Sequence, residues 1–217
     1  MKKLAIIFLF VATIVTSAVS EAQDIPSSSR SRAAISRVKP KLQGELSGAG
    51  FNWGMPIFVR IFKKTKELEI WLKDRKNFSL FKTYKICTYG WHSLGPKIKQ
   101  GDGRAPEGSY YVKPRQLNPN SLFHLSFNLG YPNACDRAHG RTGGALMVHG
   151  SCVSIGCYAM TDEGIEEIFT LADASLRNGQ RFFRVHIFPF RMTDKNMNKH
   201  KHSKWYKFWE NLKEGYD

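Results

Sequence analysis

The chain has few acidic residues and, after its N-terminus, no long apolar runs. It contains 18 aspartates and glutamates against 33 lysines and arginines, a formal net charge of +15. A surface this basic favours an anionic partner. No zinc-finger spacing, RNP motif or glycine-rich phosphate loop is present, so the charge does not indicate nucleic acid. For an exported chain the anionic partners are wall polymers, lipopolysaccharide or acidic phospholipid. The alternative is a basic face that is simply solvated.

The N-terminus has the pattern of a secretory signal. Two lysines precede an apolar run from Leu4 to about Val15, and small residues follow. We predict a signal peptide over residues 1–22, cleaved near Ser20 or Ala22, with an uncleaved anchor as the alternative. No cysteine lies at that boundary, which argues against a lipid anchor. The expected location is the periplasm or cell envelope.

Cysteine is scarce, and its spacing is not that of a zinc site. The four cysteines are Cys87, Cys135, Cys152 and Cys157. Together with His149, the last two supply only three ligands and no paired C-x2-C motif, so we expect no metal or other cofactor. If Cys157 stays free, at most one disulfide forms among the other three, and their spacing does not select the pair. A further alternative is that Cys152 pairs with Cys157 under oxidation.

One loop carries the residues of a cysteine nucleophile. His149 and Cys157 lie eight positions apart, separated by glycines and small hydroxyl residues. A free thiol is mostly protonated near neutral pH, and a nearby imidazole can stabilise the thiolate as an ion pair. The backbone N–H groups of Gly156 and Cys157 are candidates for an oxyanion hole. This pattern predicts acyl transfer. The alternative is a buried histidine at a strand end and a cysteine that packs as a small core residue.

The same loop resembles the active-site signature of the YkuD-type L,D-transpeptidase catalytic domain, and in particular its YafK-like branch. In that branch His-Gly is followed within one short loop by Ser-x-Gly-Cys. Residues 102–110 are similar to the family's D-x-[KR]-[TA]-P-E-G-x-Y segment, and residues 122–133 to the branch's substrate-side loop. Residues 140–144 then lead into the histidine strand. The resemblance extends from about Pro56 to Ile187.

The resemblance implies roles for individual residues. Cys157 would be the nucleophile and His149 its base, with the Gly150 carbonyl and Ser154 as orienting and supporting groups. Substrate contacts are expected from the matching blocks and from the loop around the cysteine, at Arg141, Phe127, His124, Tyr131, Ser151 and Tyr158.

The resemblance also implies a substrate, the diaminopimelate-containing stem peptide of peptidoglycan. Attack on the carbonyl of the L-centre would give a thioester. A second diaminopimelate amine would then form a cross-link, a lipoprotein lysine would be anchored, and water would hydrolyse the thioester. Better-known members of the wider family carry an arginine two residues after the cysteine, where this chain has Ala159. The branch includes enzymes that detach a lipoprotein from the wall, so hydrolysis is as well supported as transfer.

A different class of function is a non-catalytic, basic peptidoglycan-binding module. Basic residues and tryptophans would hold glycan, the candidates being Trp53, Trp71, Trp91, Trp205 and Trp209. The intact His149, Gly156 and Cys157 favour the enzyme, because a relic of an active site usually loses its nucleophile.

The predicted fold is mainly β with a few helices (α+β), and the resemblance implies a β-sandwich-like catalytic domain over residues 51–190. The β-branched and aromatic runs 56–62 and 68–72 flank a charged turn and predict a hairpin. A helix is predicted from the hydroxyl cap Thr161 to Asn178, with apolar residues at helical spacing.

The two ends of the mature chain are expected to lie outside that domain. We predict a basic linker and short helix over residues 23–50, with 27–32 as a flexible tether and the helix from about 33 to 46. A basic, aromatic C-terminal helix is predicted within residues 191–217. It would dock on its own domain, or lie on a membrane or glycan.

Overall fold

The computed structural model describes residues 24–75, 77–91 and 93–217. The predicted signal peptide therefore lies outside the described residues. Within the described ranges, no helix is both long enough and apolar enough to span a bilayer.

Two sheets and several helices make up the described part of the chain. The strands are β1 (Ile57–Phe62), β2 (Glu67–Asp74), β3 (Asn77–Lys85), β4 (Gly108–Val112), β5 (Leu117–Asn118), β6 (Ser126–Asn128), β7 (Met147–His149), β8 (Tyr158–Ala159) and β9 (Phe183–Phe188). The helices are α1 (Ser29–Gly48), α2 (Ala134–Ala138), α3 (Asp162–Arg177), α4 (Asp194–Lys199) and α5 (Tyr206–Lys213), with a 3₁₀ turn at Pro114–Gln116. The predicted α+β fold is confirmed.

The larger sheet has the order β3-β2-β1-β9-β4. The predicted hairpin is present, since β1 and β2 pair antiparallel from Ile57 with Leu72 to Phe62 with Glu67. β9 returns from α3 to lie parallel to β1. Along β4 the residues alternate between buried and exposed, as a strand with one face on the core requires.

The smaller sheet has the order β5-β6-β7-β8 and carries the candidate site. β7 pairs antiparallel with β6 and parallel with β8. The parallel pairing sets Val148 beside Tyr158 and His149 beside Ala159. Consequently, the residue before β8, Cys157, is returned to the region of the β7 histidine.

Helix α3 agrees with its prediction. The Thr161 hydroxyl accepts a hydrogen bond from the Gly164 N–H at 3.0 Å, and the helix ends at Arg177 with Asn178 as its C-cap. Ile165, Ile168 and Phe169 are fully buried, so the helix is held by its apolar face as the spacing indicated.

Helix α1 begins earlier than predicted, and the flexible tether over residues 27–32 was wrong. Ser28 and Ser31 form a reciprocal cap, each hydroxyl accepting the other residue's backbone N–H at 3.1 and 2.9 Å. Arg30 donates to the carbonyls of Ser121 and His124 at 2.7 and 2.9 Å. Arg30 is thus held by partners more than 90 positions away in sequence, which a local composition argument does not reveal.

The C-terminal segment docks on its own domain. It contains two short helices, α4 and α5, where one was predicted. Trp209 is 1% exposed and packs with Phe188, Phe190 and Met197 in a second apolar cluster. The Trp209 indole N–H donates to the buried carboxylate of Glu107 at 2.8 Å. The aromatic face predicted for a membrane or glycan is therefore used inside the protein.

Candidate active site

His149 and Cys157 line one groove of about 600 Å³, which we call the thiol groove. His149 ends β7, and residues 150–157 form the loop that returns to β8. The Met160 N–H donates to the His149 carbonyl at 2.7 Å, and the Gly150 N–H donates to the Phe123 carbonyl at 3.0 Å. The loop between the two residues is thus fixed at the end where it leaves the sheet.

Gly150 is required where the loop turns away from β7. A Cβ at this position would lie 2.5 Å from Asp162 Oδ1 and 3.1 Å from the Cβ of His124. The next two residues, Ser151 and Cys152, have left-handed φ angles of 66° and 51°. Asp162 accepts the Ser151 N–H at 2.8 Å, which ties the turn to the first residue of α3.

A disulfide between Cys87 and Cys152 braces this turn, with the two Cα atoms 5.2 Å apart. The pair that the sequence left open is therefore Cys87–Cys152, and Cys135 and Cys157 are free. The structure does not pair Cys152 with Cys157. It also removes Cys152 as a thiolate ligand, which excludes the three-ligand metal arrangement considered from spacing.

The imidazole of His149 is held in one orientation. Its Nδ1 lies 2.7 Å from the Gly150 carbonyl oxygen, which accepts a proton carried on Nδ1. In this tautomer Nε2 is unprotonated and has the form of a base. The Phe123 ring packs against the imidazole with centroids 4.7 Å apart. Burial lowers the pKa of His149, opposed by the hydrogen bond to Gly150. The contact with the Gly150 carbonyl is the predicted one, and its catalytic role stays a prediction.

The thiol of Cys157 lies against the start of β7. Its Sγ accepts the Met147 backbone N–H at 3.4 Å and donates to the Ala145 carbonyl at 3.7 Å. Burial raises the pKa of Cys157, although the Met147 N–H and the charge of Lys97 act in the opposite direction. These shifts favour a neutral thiol beside a neutral imidazole. They do not support the predicted ion pair, because sequence spacing carries no information about how deeply the two groups are buried.

The predicted oxyanion hole is not formed in this conformation. The N–H groups of Gly156 and Cys157 both donate to the Ser154 hydroxyl oxygen, at 3.2 and 2.8 Å. The hydroxyl donates in turn to the Cys157 carbonyl at 2.9 Å. Because Ser154 already occupies both donors in this conformation, the oxyanion role of Gly156 and Cys157 stays a prediction. Ser154 bridges Gly156 and Cys157 in the loop, and its supporting role in catalysis also stays a prediction.

Of the six residues predicted to contact substrate, none lines the thiol groove. Phe127 and Tyr158 are fully buried and Tyr131 is 5% exposed. The Tyr158 hydroxyl donates to the Pro106 carbonyl at 2.7 Å, and the Tyr131 hydroxyl to the Lys97 carbonyl at 3.3 Å. These three aromatic rings form part of the core in this structure, and their predicted role in binding substrate stays a prediction.

The three polar members of that set also have structural partners. Arg141 is 7% exposed and donates to Asp136 at 2.8 Å. His124 Nε2 lies 2.7 Å from Glu166 Oε1, so this histidine links its loop to α3. Ser151 is exposed, but it is held by Asp162 outside the groove. Arg141 and His124 thus use their side chains, and Ser151 its backbone N–H, to hold loops in place. Their substrate contacts stay predictions.

The walls of the thiol groove come mostly from residues that the sequence did not single out, although Trp91 was a candidate for binding glycan. Several are exposed apolar side chains: Trp91 at 71%, Phe123 at 43%, Val153 at 59% and Ile155 at 87%. Exposed large apolar residues gathered around one cavity mark a binding site. The nearest sequence signal was the long loop between Gly90 and Gly108, whose length is typical of a functional loop.

Among the described residues that line the groove, Lys97 is the one lysine or arginine. Its side chain is 5% exposed, and its ammonium group lies 2.6 Å from Asp102 Oδ1. Asp102 also accepts the N–H groups of Ile98, Lys99 and Arg104, and these bonds together with Lys97 lower the pKa of Asp102 to about 2 despite its partial burial. A permanently ionised aspartate therefore holds Lys97 and the loop around it in place.

Comparison with known proteins gives the same assignment. Residues 57–187 match the model of the YkuD family, described as the L,D-transpeptidase catalytic domain. The chain belongs to this family. It is 44% identical over all of its 217 residues to a protein of Escherichia coli (strain K12) named as the L,D-transpeptidase YafK, of which it covers 82%. A protein of Escherichia coli O157:H7 with the same name matches equally well.

Solved structures show the fold. The helical cell shape determining protein Pgp2 from Campylobacter jejuni superposes with a TM-score of 0.51 at 21% identity. The match covers 67% of this chain and 53% of that protein. A K307A mutant of the same protein gives a TM-score of 0.51 at 22% identity.

Proposed function

We propose that this chain is an exported cysteine acyl-transfer enzyme that acts on diaminopimelate-containing stem peptides of peptidoglycan through a thioester on Cys157. Membership of the L,D-transpeptidase family makes it a peptidoglycan-acting enzyme. One observation carries the finer proposal. Cys157 and His149 line the same groove, and the Gly150 carbonyl holds the imidazole with Nε2 unprotonated.

The proposed chemistry starts from a neutral thiol. Sγ of Cys157 attacks the carbonyl carbon on the L-centre of diaminopimelate while His149 Nε2 takes the thiol proton. The tetrahedral intermediate then breaks its C–N bond, and the imidazolium returns the proton to the departing amine. This leaves a thioester and a neutral histidine. Water or an amine then attacks the thioester and gives a proton to His149. The C–S bond breaks, and His149 returns the proton to the departing Cys157 sulfur, which restores the thiol and the neutral imidazole.

Lys97 is the positive group placed to stabilise the intermediate. Its charge already favours the ionised form of the Cys157 sulfur, and the same field stabilises an oxyanion formed next to that sulfur. The Gly156 and Cys157 N–H groups become available only if Ser154 releases them. The apolar walls at Trp91 and Ile155 exclude water and strengthen these interactions.

Hydrolysis and transfer share the first half of this reaction, so the acceptor defines the activity. The wall-linked substrates are an amine-joined cross-link or a lipoprotein attached through lysine. Position 159 carries a fully buried alanine, where better-known family members carry arginine. The substrate-holding cation is therefore Lys97, on a different loop, and we weigh hydrolysis equally with cross-link synthesis.

The test uses sacculi with and without linked lipoprotein, incubated with purified protein and analysed by mass spectrometry of the muropeptides. We expect the wild type to change the profile and Cys157→Ala to leave it unchanged. Cys135→Ser is the matched control, because it removes the other free thiol, and it should behave as wild type. A changed profile with Cys157→Ala would reject the proposal.

The alternative function is a non-catalytic basic peptidoglycan-binding module. Its strongest support is the exposed Trp91 beside a basic groove. A carbapenem, which acylates reactive thiols, separates the two hypotheses, because a pure binding module would not form the adduct on Cys157.

A further inference from the structure

A second groove, about as large as the first, lies between α1 and α3. Its volume is about 610 Å³. One wall is a face of α1 formed by Arg32, Ile35, Ser36 and Lys39, which recur at the i, i+3, i+4, i+7 spacing of a helix face. The other wall is the last turn of α3 with Arg177. We call this cavity the α1–α3 groove.

The charge of this groove is positive. Arg32 and Lys39 are exposed, and within the described residues neither makes an ion pair with an acid. Asp173 is the acidic residue among the described lining residues, and Arg177 neutralises it at 2.8 Å. The neighbouring cations of α1 are used differently, since Arg37 and Lys41 pair with Glu166 and Glu167. Of the α1 cations without an acidic partner among the described residues, Arg32 and Lys39 line the groove, whereas Arg30 is held by loop carbonyls.

An indole completes the groove. Trp53 is half-buried and lines it, and the Lys39 ammonium lies 5.3 Å from the centre of the Trp53 ring system. An aromatic face beside cations is suited to a sugar ring that carries anionic groups, because the ring stacks on the indole while the charges meet the ammonium and guanidinium. Arg32 and Lys39 are seven residues apart, about 10 Å along a helix. This spacing suits charges that repeat along a polymer.

We propose that the α1–α3 groove is an accessory binding site for an anionic glycan, namely a strand of the polymer whose stem peptide enters the thiol groove. Trp53 stacks on a sugar ring, and Arg32 and Lys39 bind carboxylates of the attached peptides. The inference rests on the proposed function, because it takes the substrate to be polymeric.

The two grooves lie at opposite ends of α3. Asp162, the first residue of α3, holds the turn beside the thiol groove, and Arg177, its last residue, lines the second groove. A helix of this length spans about 24 Å. The accessory site therefore acts on the retention of polymer and leaves the chemistry at Cys157 unchanged.

The experiment compares protein purified after expression of the full-length chain with the double variant Arg32→Glu/Lys39→Glu. Both positions are exposed, so the fold should be retained. The control is Arg115→Glu/Lys195→Glu, which makes the same change in net charge at exposed positions outside the groove. All proteins also carry Cys157→Ala, so that binding is measured without turnover.

Co-sedimentation with purified sacculi is the first measurement. We expect the groove variant to bind about tenfold more weakly than the control variant, and Trp53→Leu to weaken binding as well. Equal binding by the groove and control variants would overturn the proposal. So would a loss confined to vesicles of anionic phospholipid with binding to sacculi retained, because the ligand would then be a membrane.

Activity measurements distinguish a failure of the accessory-site proposal from a failure of the proposed function. With Cys157 present, the groove variant should process a soluble muropeptide at the wild-type rate and sacculi with a raised KM. An equal loss on both substrates would overturn the accessory site. Inactivity of the wild type on both substrates would contradict the proposed function. The co-sedimentation experiment would still test the accessory site independently.

Discussion

At the scale of single residues, the central feature is a cysteine and a histidine that are both neutral at rest. Burial raises the pKa of Cys157 and lowers the pKa of His149. Each shift disfavours the charged form of its own group. In the proposed mechanism the histidine therefore acts as a base during attack, and a preformed thiolate is not required. The residue identities were predictable from the loop, but the protonation states were not, because they depend on burial.

The protonation state predicts how alkylation of Cys157 depends on pH. In a Cys135→Ser background, iodoacetamide should react slowly near neutral pH, and the rate should rise only above pH 9, the usual value for a thiol. The rate is read from the mass of the modified protein over time. A fast reaction that is constant from pH 6 to 8 would show a thiolate–imidazolium pair and contradict this account.

At the scale of structural elements, a buried ion pair anchors the segment between β3 and β4, residues 86–107. We call this segment the groove loop. Lys63 and Glu107 are both fully buried, with Nζ and Oε1 2.9 Å apart. Burial lowers the pKa of Lys63, and Glu107 opposes that shift. The same carboxylate accepts the Gly95 N–H at 2.7 Å and the Trp209 indole N–H at 2.8 Å. Helix α5 is thereby connected to the loop that carries Trp91 and Lys97.

This connection predicts the effect of Trp209→Phe. The variant keeps an aromatic ring but removes one donor from a buried carboxylate, which should cost about 1–3 kcal/mol of stability. Because Glu107 also holds Gly95 on the groove loop, KM should rise by about tenfold as the groove wall shifts. Thermal unfolding and steady-state kinetics on a soluble muropeptide measure the two effects.

Trp71→Phe is the matched control for that experiment. The Trp71 N–H donates to the buried Glu69 carboxylate at 2.9 Å, on β2 in the larger sheet. It should lose stability with an unchanged KM. If both variants raise KM equally, helix α5 does not position the groove loop.

The Cys87–Cys152 disulfide is a second cross-link between structural elements. It joins residues 65 positions apart. Such a bond stabilises the folded protein mainly by restricting the unfolded chain, and its removal costs about 2–5 kcal/mol of stability. Cys87→Ser/Cys152→Ser should therefore lower the unfolding temperature and reduce turnover, since Cys152 lies in the loop that joins His149 to Cys157. Full activity with lowered stability would show that the disulfide does not position the nucleophile loop.

At the scale of the whole molecule, local patterns predicted local structure. The β1–β2 hairpin and α3 follow from alternation, helical spacing and a hydroxyl cap within one stretch of chain. The ordered start of α1 and the docking of α5 did not follow, because their partners are distant in sequence. Arg30 meets Ser121, and Trp209 meets Glu107.

In the candidate site, too, local features were predictable from the sequence and features that depend on distant residues were not. His149 and Cys157 were predicted because one short loop carries both. The burial of Phe127, Tyr131 and Tyr158 was not predictable, because a large aromatic residue in a family-like block has the same pattern whether it faces a groove or the core. The groove walls come from four separate connecting segments, which only the fold brings together. The domain boundaries at residues 22, 50 and 190 stay predictions.

The most direct test of the central claim is mass spectrometry of the protein itself, quenched in acid during turnover of a diaminopimelate-containing muropeptide. We predict an added mass equal to the acyl part of the stem peptide, located on the peptide that contains Cys157 and absent in Cys157→Ala. An adduct on Cys135, or turnover with no adduct on Cys157 at any time and undiminished activity in Cys157→Ala, would contradict it.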